Sequence, residues 1–328
     1  MKFIRISLFA WIVLGTSLSV AQVGEFTEIS FIPQWTPQAQ FAGYYIALEK
    51  GFYRKFKLKV NILRGGPERA ATEILETGLA DFGTMFLSTG ITKRAYGVKL
   101  VNISQIVQRS AFMLVAKKST GIHSPEGLQG KKVGLWGGDF RVQPKAFFRK
   151  YNLTVSFVPQ STTLNLFLRG GVDVASAMWY NEYHTILNAG MDQDALTTFM
   201  FSDHGMNFPE DGLYCMEDTL KREPELCCNF VKATIEGWKY AFAHPEEALD
   251  IVMTYIKKAK VATNRVHQRW MLNRMNDIIS PPETGSVMGY LKADSYHQVA
   301  QELKRNGMID RIPNFSELFF DCRTNVKE

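Results

Sequence analysis

The chain has 328 residues, 46% of them hydrophobic and 21% charged, with a net charge of +6. This is ordinary globular composition, enough for one large domain or two modest ones. No Lys/Arg block with interleaved aromatics is present, which excludes a nucleic-acid footprint. Beyond the first twenty residues no stretch is apolar enough to span a bilayer.

The N-terminus stands apart. Lys2 and Arg5 lead into an apolar run from Ile6 to Val20, and Ser19-Val20-Ala21 has the small-x-small pattern of a cleavage site. This reads as a secretory signal peptide over residues 1–21, cut after Ala21; a membrane anchor would need a longer span. No Cys follows the run, so no lipid attachment is expected. Cleavage removes Lys2 and Arg5 and lowers the net charge from +6 to +4. Export permits disulfides. The four cysteines, Cys215, Cys227, Cys228 and Cys322, form no C-x-x-C, and their pairing is open. Cys227 and Cys228 fall in a helical pattern, where buried free thiols are the simpler reading.

Ile29 and Phe31 alternate with polar residues as in a strand with one buried face, and Pro33 ends it. Thr36-Pro37 reads as an N-cap followed by a first-turn proline. Phe41, Tyr44, Tyr45 and Leu48 then fall on one helical face, and Gly51 supplies the stop. Gln34 and Trp35 are left in the loop between strand and helix, where open α/β sheets bind ligands. The arrangement repeats. A strand at 58–62 leads through Gly65-Gly66-Pro67 into a helix at 68–76. The stretch 79–83, LADFG, is a strand, followed by a helix from near Ser88 to Gly97. Strands are expected at 98–107 and 111–116. A second series has a short helix from Ser124 to Gly130, then a strand at 131–136 that opens into Gly137 and Gly138 before a helix reaching Lys150. A strand at 155–159, a helix at 163–169 and a strand at 172–178 follow, and Trp179-Tyr180-Asn181-Glu182 turns into another helix. Alternation of this kind predicts βαβ units and largely parallel sheets, hence two α/β lobes. Amphipathic helices are expected at 220–243, 245–258, 266–278 and 293–306, packed on the first lobe. The lobes are then 22–115 with 213–328, and 116–212, joined by short connections.

Five strand-end loops therefore compete as a site: Gln34-Trp35, Gly65-Gly66-Pro67, Thr84-Met85-Phe86, Trp136-Gly137-Gly138 and Tyr180-Asn181-Glu182. Singly, each reads as readily as core or helix cap. Jointly, they make a cleft between two lobes. Glu182, at a helix start, is expected to be an ionised acceptor facing that cleft. No catalytic triad, H-E-x-x-H or paired-carboxylate motif appears. The six His residues are scattered, and His204 is expected in a surface loop.

Gln34-Trp35-x-Pro37 followed by FAGYYIALEKGFY, GGP, LADFG, the segment GIHSPEGLQGKKVGLW and Trp179-Tyr180-Asn181-Glu182-Tyr183 resembles, over roughly 28–243, the periplasmic binding proteins related to thiamine pyrimidine synthase. The resemblance implies an α/β, two-lobed periplasmic-binding-protein fold of type II. It implies delivery of a thiamine pyrimidine precursor, riboflavin or a related heterocycle to an ABC importer, whose permease and ATPase are separate chains. It implies a monomer in the periplasm, without cofactor, and a site drawn from Gln34, Trp35, Tyr44, Phe86, Trp136, Gly137, Gly138, Tyr180, Asn181 and Glu182. The family also includes an enzyme that holds pyridoxal phosphate on a Lys with a His four residues later. Aligned on Arg94-Ala95-Tyr96-Gly97, those places are Met85 and Thr89 here. The enzyme's cysteine-rich iron motif falls near 206–210, MNFPE, which has no Cys. The chain thus resembles the binding branch; an enzyme of thiamine pyrimidine synthesis and a sensory module are the alternatives.

Overall fold

β1 (Thr27–Ile32) turns Ile29 and Phe31 inward, as the alternation requires. The computed structural model describes residues 26–281 and 287–324; the expected signal peptide at 1–21 lies outside them. Among the described residues ten strands form two five-stranded sheets. The first has the order β2 (Leu58–Ile62), β1, β3 (Phe82–Phe86), β10 (Asp211–Met216), β4 (Leu100–Gln105). The second has the order β7 (Ser156–Pro159), β6 (Lys132–Leu135), β8 (Val174–Met178), β5 (Phe112–Lys117), β9 (Leu196–Met200).

The sheets are mixed rather than largely parallel. β1 runs parallel to β2 and β3, and β6 runs parallel to β7 and β8. β10 is antiparallel to β3 and β4, and β5 is antiparallel to β8 and β9. β5 and β10 are the strands that enter each sheet on crossing from the other, and each inserts one place from an edge. The two crossovers therefore lie side by side: Val107 N–H donates to the Asp211 carbonyl at 3.0 Å.

The first helix begins later than the Thr36-Pro37 cap predicts. A 3₁₀ turn spans Ala39–Phe41 and the α-helix is Ala42–Glu49. The loop before it is held by other elements instead: Gln34 N–H donates to Thr84 Oγ1 at 2.9 Å and Ala39 N–H to Gln268 Oε1 at 2.7 Å. The helix is buried on nearly every face. It crosses the helix Pro224–Ala243 so closely that a Cβ on Gly237 would lie 2.1 Å from the Gly43 carbonyl oxygen. β3 also starts three residues later than LADFG suggests. Asp81 stops short of the strand, its carboxylate accepting from Ser30 N–H at 2.8 Å, and Leu79 is 62% exposed.

The C-terminal helices Pro224–Ala243, Pro245–Ala259 and Arg265–Ile279 gather on the first sheet's side. Phe230 stacks on Phe82 and Tyr53 at 4.4 and 4.9 Å. Cys228 is bonded to Cys322, 94 residues away, whereas Cys215 and Cys227 are buried free thiols. The simpler reading held for Cys227 and failed for its neighbour, which sits one helical step round and meets the C-terminal segment.

Candidate functional site

Loops that follow β1, β2, β3, β6, β7 and β8 enclose a cavity of about 560 Å³. Carboxyl-end loops from both sheets converge there, as the topology of open α/β sheets requires. Gln34 and Trp35 follow β1, Gly66 follows β2, Phe86 ends β3, Trp136 and Gly137 follow β6, and Tyr180, Asn181 and Glu182 follow β8. The Gly-Gly loop fits beneath the first because Gly65 has no Cβ; one would lie 1.9 Å from the Pro33 carbonyl oxygen.

Two expected residues are not on the cavity wall. Tyr44 is 1% exposed and stacks on Phe31 at 4.5 Å, inside the first lobe's core. The all-round burial of its helix takes it there. Gly138 opens the turn Gly138–Arg141 at φ 61, and the wall there is made by its neighbours Gly137 and Phe140. Conversely, sequence reasoning missed Gln38, Gln40, Thr89, Phe140 and Thr162. The glutamines were counted as part of a helix; in fact they precede it.

The aromatic walls meet across the cleft. Trp136 stacks on Phe112 at 5.3 Å and donates its Nε1–H to the Ser161 carbonyl at 3.2 Å. Phe86 meets Phe140 edge to face at 5.2 Å. Beside this contact, Asp139 Oδ2 accepts from Thr89 Oγ1 at 2.5 Å and Ser88 Oγ at 3.1 Å. A carboxylate from the second lobe is thus clasped by two hydroxyls of the helix Leu87–Ala95 in the first.

The opposite end is polar. Glu182 Oε2 accepts from Met178 N–H at 2.9 Å and Oε1 from Asn181 Nδ2 at 2.8 Å. Asn181 Oδ1 lies 2.9 Å from His267 Nε2, and His267 Nδ1 lies 2.9 Å from His184 Nδ1. Because Asn181 gives its N–H to the carboxylate, its oxygen is the acceptor and His267 Nε2 carries the proton. The helix start was expected to favour the Glu182 charge; burial acts against it and, despite the hydrogen bonds, raises its pKa. A carboxylate in this position still keeps lone pairs for a ligand.

Behind the cavity stand Asp211 and Glu210. Asp211 accepts from the side-chain amides of Gln34 and Gln40, the latter at 2.8 Å. Glu210 Oε1 accepts from Ala111 N–H at 2.6 Å, while Oε2 has no partner among the described residues. Burial pushes Asp211 to about 7; burial and the Asp211 charge push Glu210 to about 8. Burial and the charges of Glu210, Asp211 and Glu182 raise the Tyr180 phenol well above its ordinary value, so it stays a donor. His204 is half-buried, its Nδ1 2.6 Å from Tyr151 Oη, away from the cavity. Among the described residues no group of three or more His, Cys, Asp or Glu is placed to hold a metal ion, and no helix is long and apolar enough to cross a membrane.

The sequence profile of the NMT1/THI5-like family matches residues 38–248, and the chain belongs to that family. It is 24% identical over 245 residues to the riboflavin-binding protein RibY of Chloroflexus aurantiacus, covering 71% of this chain and 68% of that one. It is 25% identical over 243 residues to a 4-amino-5-hydroxymethyl-2-methylpyrimidine phosphate synthase of Legionella pneumophila, covering 69% and 73%. Among solved structures it resembles the periplasmic aliphatic sulphonate binding protein SsuA of Escherichia coli, with a TM-score of 0.69 and 14% identity over 90% of this chain and 92% of that one. A Candida albicans protein with the generic periplasmic binding protein fold superposes with a TM-score of 0.65 at 14% identity, over 90% and 97%. The fold is that of the periplasmic binding proteins.

Proposed function

We propose that this member of the NMT1/THI5-like family is an exported solute-binding protein that takes a flat, unphosphorylated nitrogen heterocycle in its cleft and presents it to an ABC importer. The observation that carries the reading is the cavity wall. Trp35, Trp136, Phe86 and Phe140 offer faces and edges for a ring, with stacking worth about 1–3 kcal/mol per base-like ring. Glu182 and the glutamines supply acceptors for ring N–H or amino groups. Among the described residues no Lys or Arg lines the cavity. A phosphate there would have no cation to offset its desolvation.

Size favours one member of the class. A single pyrimidine ring occupies little of about 560 Å³, whereas a fused-ring flavin with a hydroxylated chain fits the usual range for such sites. Riboflavin is therefore tested beside the aminopyrimidine. An enzyme of the pyrimidine synthase type is disfavoured by the donor set. Met85 is buried in β3 and Thr89 is engaged with Asp139, and no Lys lines the cavity to hold a pyridoxal group. Export agrees with the signal-like N-terminus and with the Cys228–Cys322 bond, which an oxidising compartment maintains.

The test is native mass spectrometry and calorimetry of the purified mature protein with riboflavin, 4-amino-5-hydroxymethyl-2-methylpyrimidine and the phosphate ester of the latter. Binding of either unphosphorylated compound, with the ester much weaker, is expected. Preference for the ester, or no binding of any of the three, overturns the proposal. A visible absorption band from a lysine-linked pyridoxal group would favour the enzyme instead.

A further inference from the structure

We infer that Asp211 is a specificity-determining residue that acts without touching the ligand: it holds a chain of glutamine amides by their N–H groups and so leaves carbonyl oxygens as the groups offered to the cleft. The inference deepens the proposed binding role and rests on that site.

Asp211 is 3% exposed at the start of β10, where the chain returns from the second sheet. One carboxylate oxygen accepts from Gln34 Nε2 and the other from Gln40 Nε2; Gln40 Oε1 in turn accepts from Gln38 Nε2 at 2.5 Å. Gln34, Gln38 and Gln40 all line the cavity. An ionised carboxylate accepts and cannot donate. It therefore fixes the direction of every amide in the chain. Among the described residues no protein donor is paired with Gln34 Oε1 or Gln38 Oε1. These two oxygens are the free ends of the relay. The cleft is thus set to receive N–H or O–H groups, in agreement with Glu182 on the opposite wall.

The setting is reversible. The charged and titratable groups acting around Asp211 are Glu210 beside it, Tyr214 on its own strand, Tyr44 from the 42–49 helix and Tyr180 from the loop after β8. None is a cation, and the carboxylate is held by neutral amides alone. Burial accordingly places its titration at about 7. Once protonated, one oxygen becomes a donor. The amide facing it must rotate to offer its own oxygen, and its NH₂ turns outward. A donor then stands where an acceptor stood.

The amide orientation can be read without any ligand. In ¹³C,¹⁵N-labelled mature protein, the Gln34 and Gln40 side-chain amide resonances should move with the same midpoint as the Asp211 carboxyl. In Asp211→Asn the transition at that midpoint should be missing. Amide signals that stay fixed while Asp211 titrates overturn the inference, even if a heterocycle binds. The second arm uses whichever of riboflavin or 4-amino-5-hydroxymethyl-2-methylpyrimidine binds. Its affinity should change about tenfold or more between about pH 8.5 and 5.5, and the part of that change with the Asp211 midpoint should be missing in Asp211→Asn. A flat profile in the unsubstituted protein overturns the inference. If neither compound binds, the proposed function fails, and the amide titration alone still decides the role of Asp211.

Discussion

Glu210 and Asp211 are adjacent, 5% and 3% exposed, and among the described residues neither has a basic partner at hydrogen-bond distance. Their pKa values rise from 4.5 to about 8 and from 3.8 to about 7. The unfolded chain releases both protons near pH 4. Between there and about pH 8 the folded protein binds more protons than the unfolded one, so stability falls as pH rises. Glu182, also raised by burial, acts in the same sense. His184 and His267 act oppositely. Burial lowers both, His267 to about 4, so their contribution to stability increases with pH and levels off above about 6.5. The carboxyl effect is therefore cleanest from about pH 6.5 to 8. Titration at about 8 and about 7 gives a fall of about 2 kcal/mol across that window, most of it from Glu210. Glu210→Gln keeps an acceptor for Ala111 N–H and removes the titration; the fall should shrink to under about 1 kcal/mol. Urea unfolding followed by circular dichroism at both pH values measures it. Stability that is flat or rising across the window in the parent protein, or a fall unchanged by Glu210→Gln, refutes the reasoning.

Trp35→Ala should weaken heterocycle binding by about 1–3 kcal/mol with little change in apo melting temperature; a large loss of apo stability at unchanged affinity would make Trp35 a core residue. Glu182→Gln places an NH₂ against the Met178 N–H or the Asn181 amide. Calorimetry should show affinity reduced by at least about 1.5 kcal/mol, and equal affinities would leave Glu182 as a helix-start residue alone. Replacing Cys228 and Cys322 by Ser opens a loop of 94 residues and should cost about 4–5 kcal/mol; an unchanged urea midpoint would show that the bond constrains little.

The strand-end loops were legible because they follow from order alone. Each apolar run that alternates and is broken by Pro, Gly or an aromatic-polar pair ends at the same edge of its sheet. Trp136-Gly137 and Tyr180-Asn181-Glu182 were reached in that way, although their chemistry was ambiguous. β10 was not legible. Asp211-Gly212-Leu213-Tyr214-Cys215-Met216 is buried on both faces and shows no alternation, and it begins with a charged residue. Its acid reads as a loop residue until β3 and β4 are seen to flank it. The glutamine relay was missed for a related reason. Gln38 and Gln40 follow a good capping pair, and local preference put them in one α-helix; contacts from Thr84 and Gln268, 50 and 229 residues away from their partners, hold the loop instead, with Gln38 extended and Gln40 in the 3₁₀ turn before the α-helix. Tyr44 fits a helical stripe, but a stripe does not show that the rest of the helix is also covered.

One helix reads both walls of the cleft. On Arg265–Ile279, Gln268 accepts from Ala39 N–H in the first wall, and the neighbouring His267 donates to Asn181 in the second. Trp270 adds a donor to the Trp179 carbonyl at 2.9 Å, and Arg274 lies over both indole rings at 4.6 and 4.8 Å. Separating the walls must give up the contacts on one side of this helix, and must also break the Asp139 clasp at the far end. Neutral hydrogen bonds contribute about 0.5–1.5 kcal/mol each, and those to a charged group such as the Asp139 carboxylate about 1.5–3 kcal/mol. A handful of them sums to a barrier that ring stacking and a donor on Glu182 can match. The 265–279 helix is therefore the element that must exchange contacts if the two walls separate.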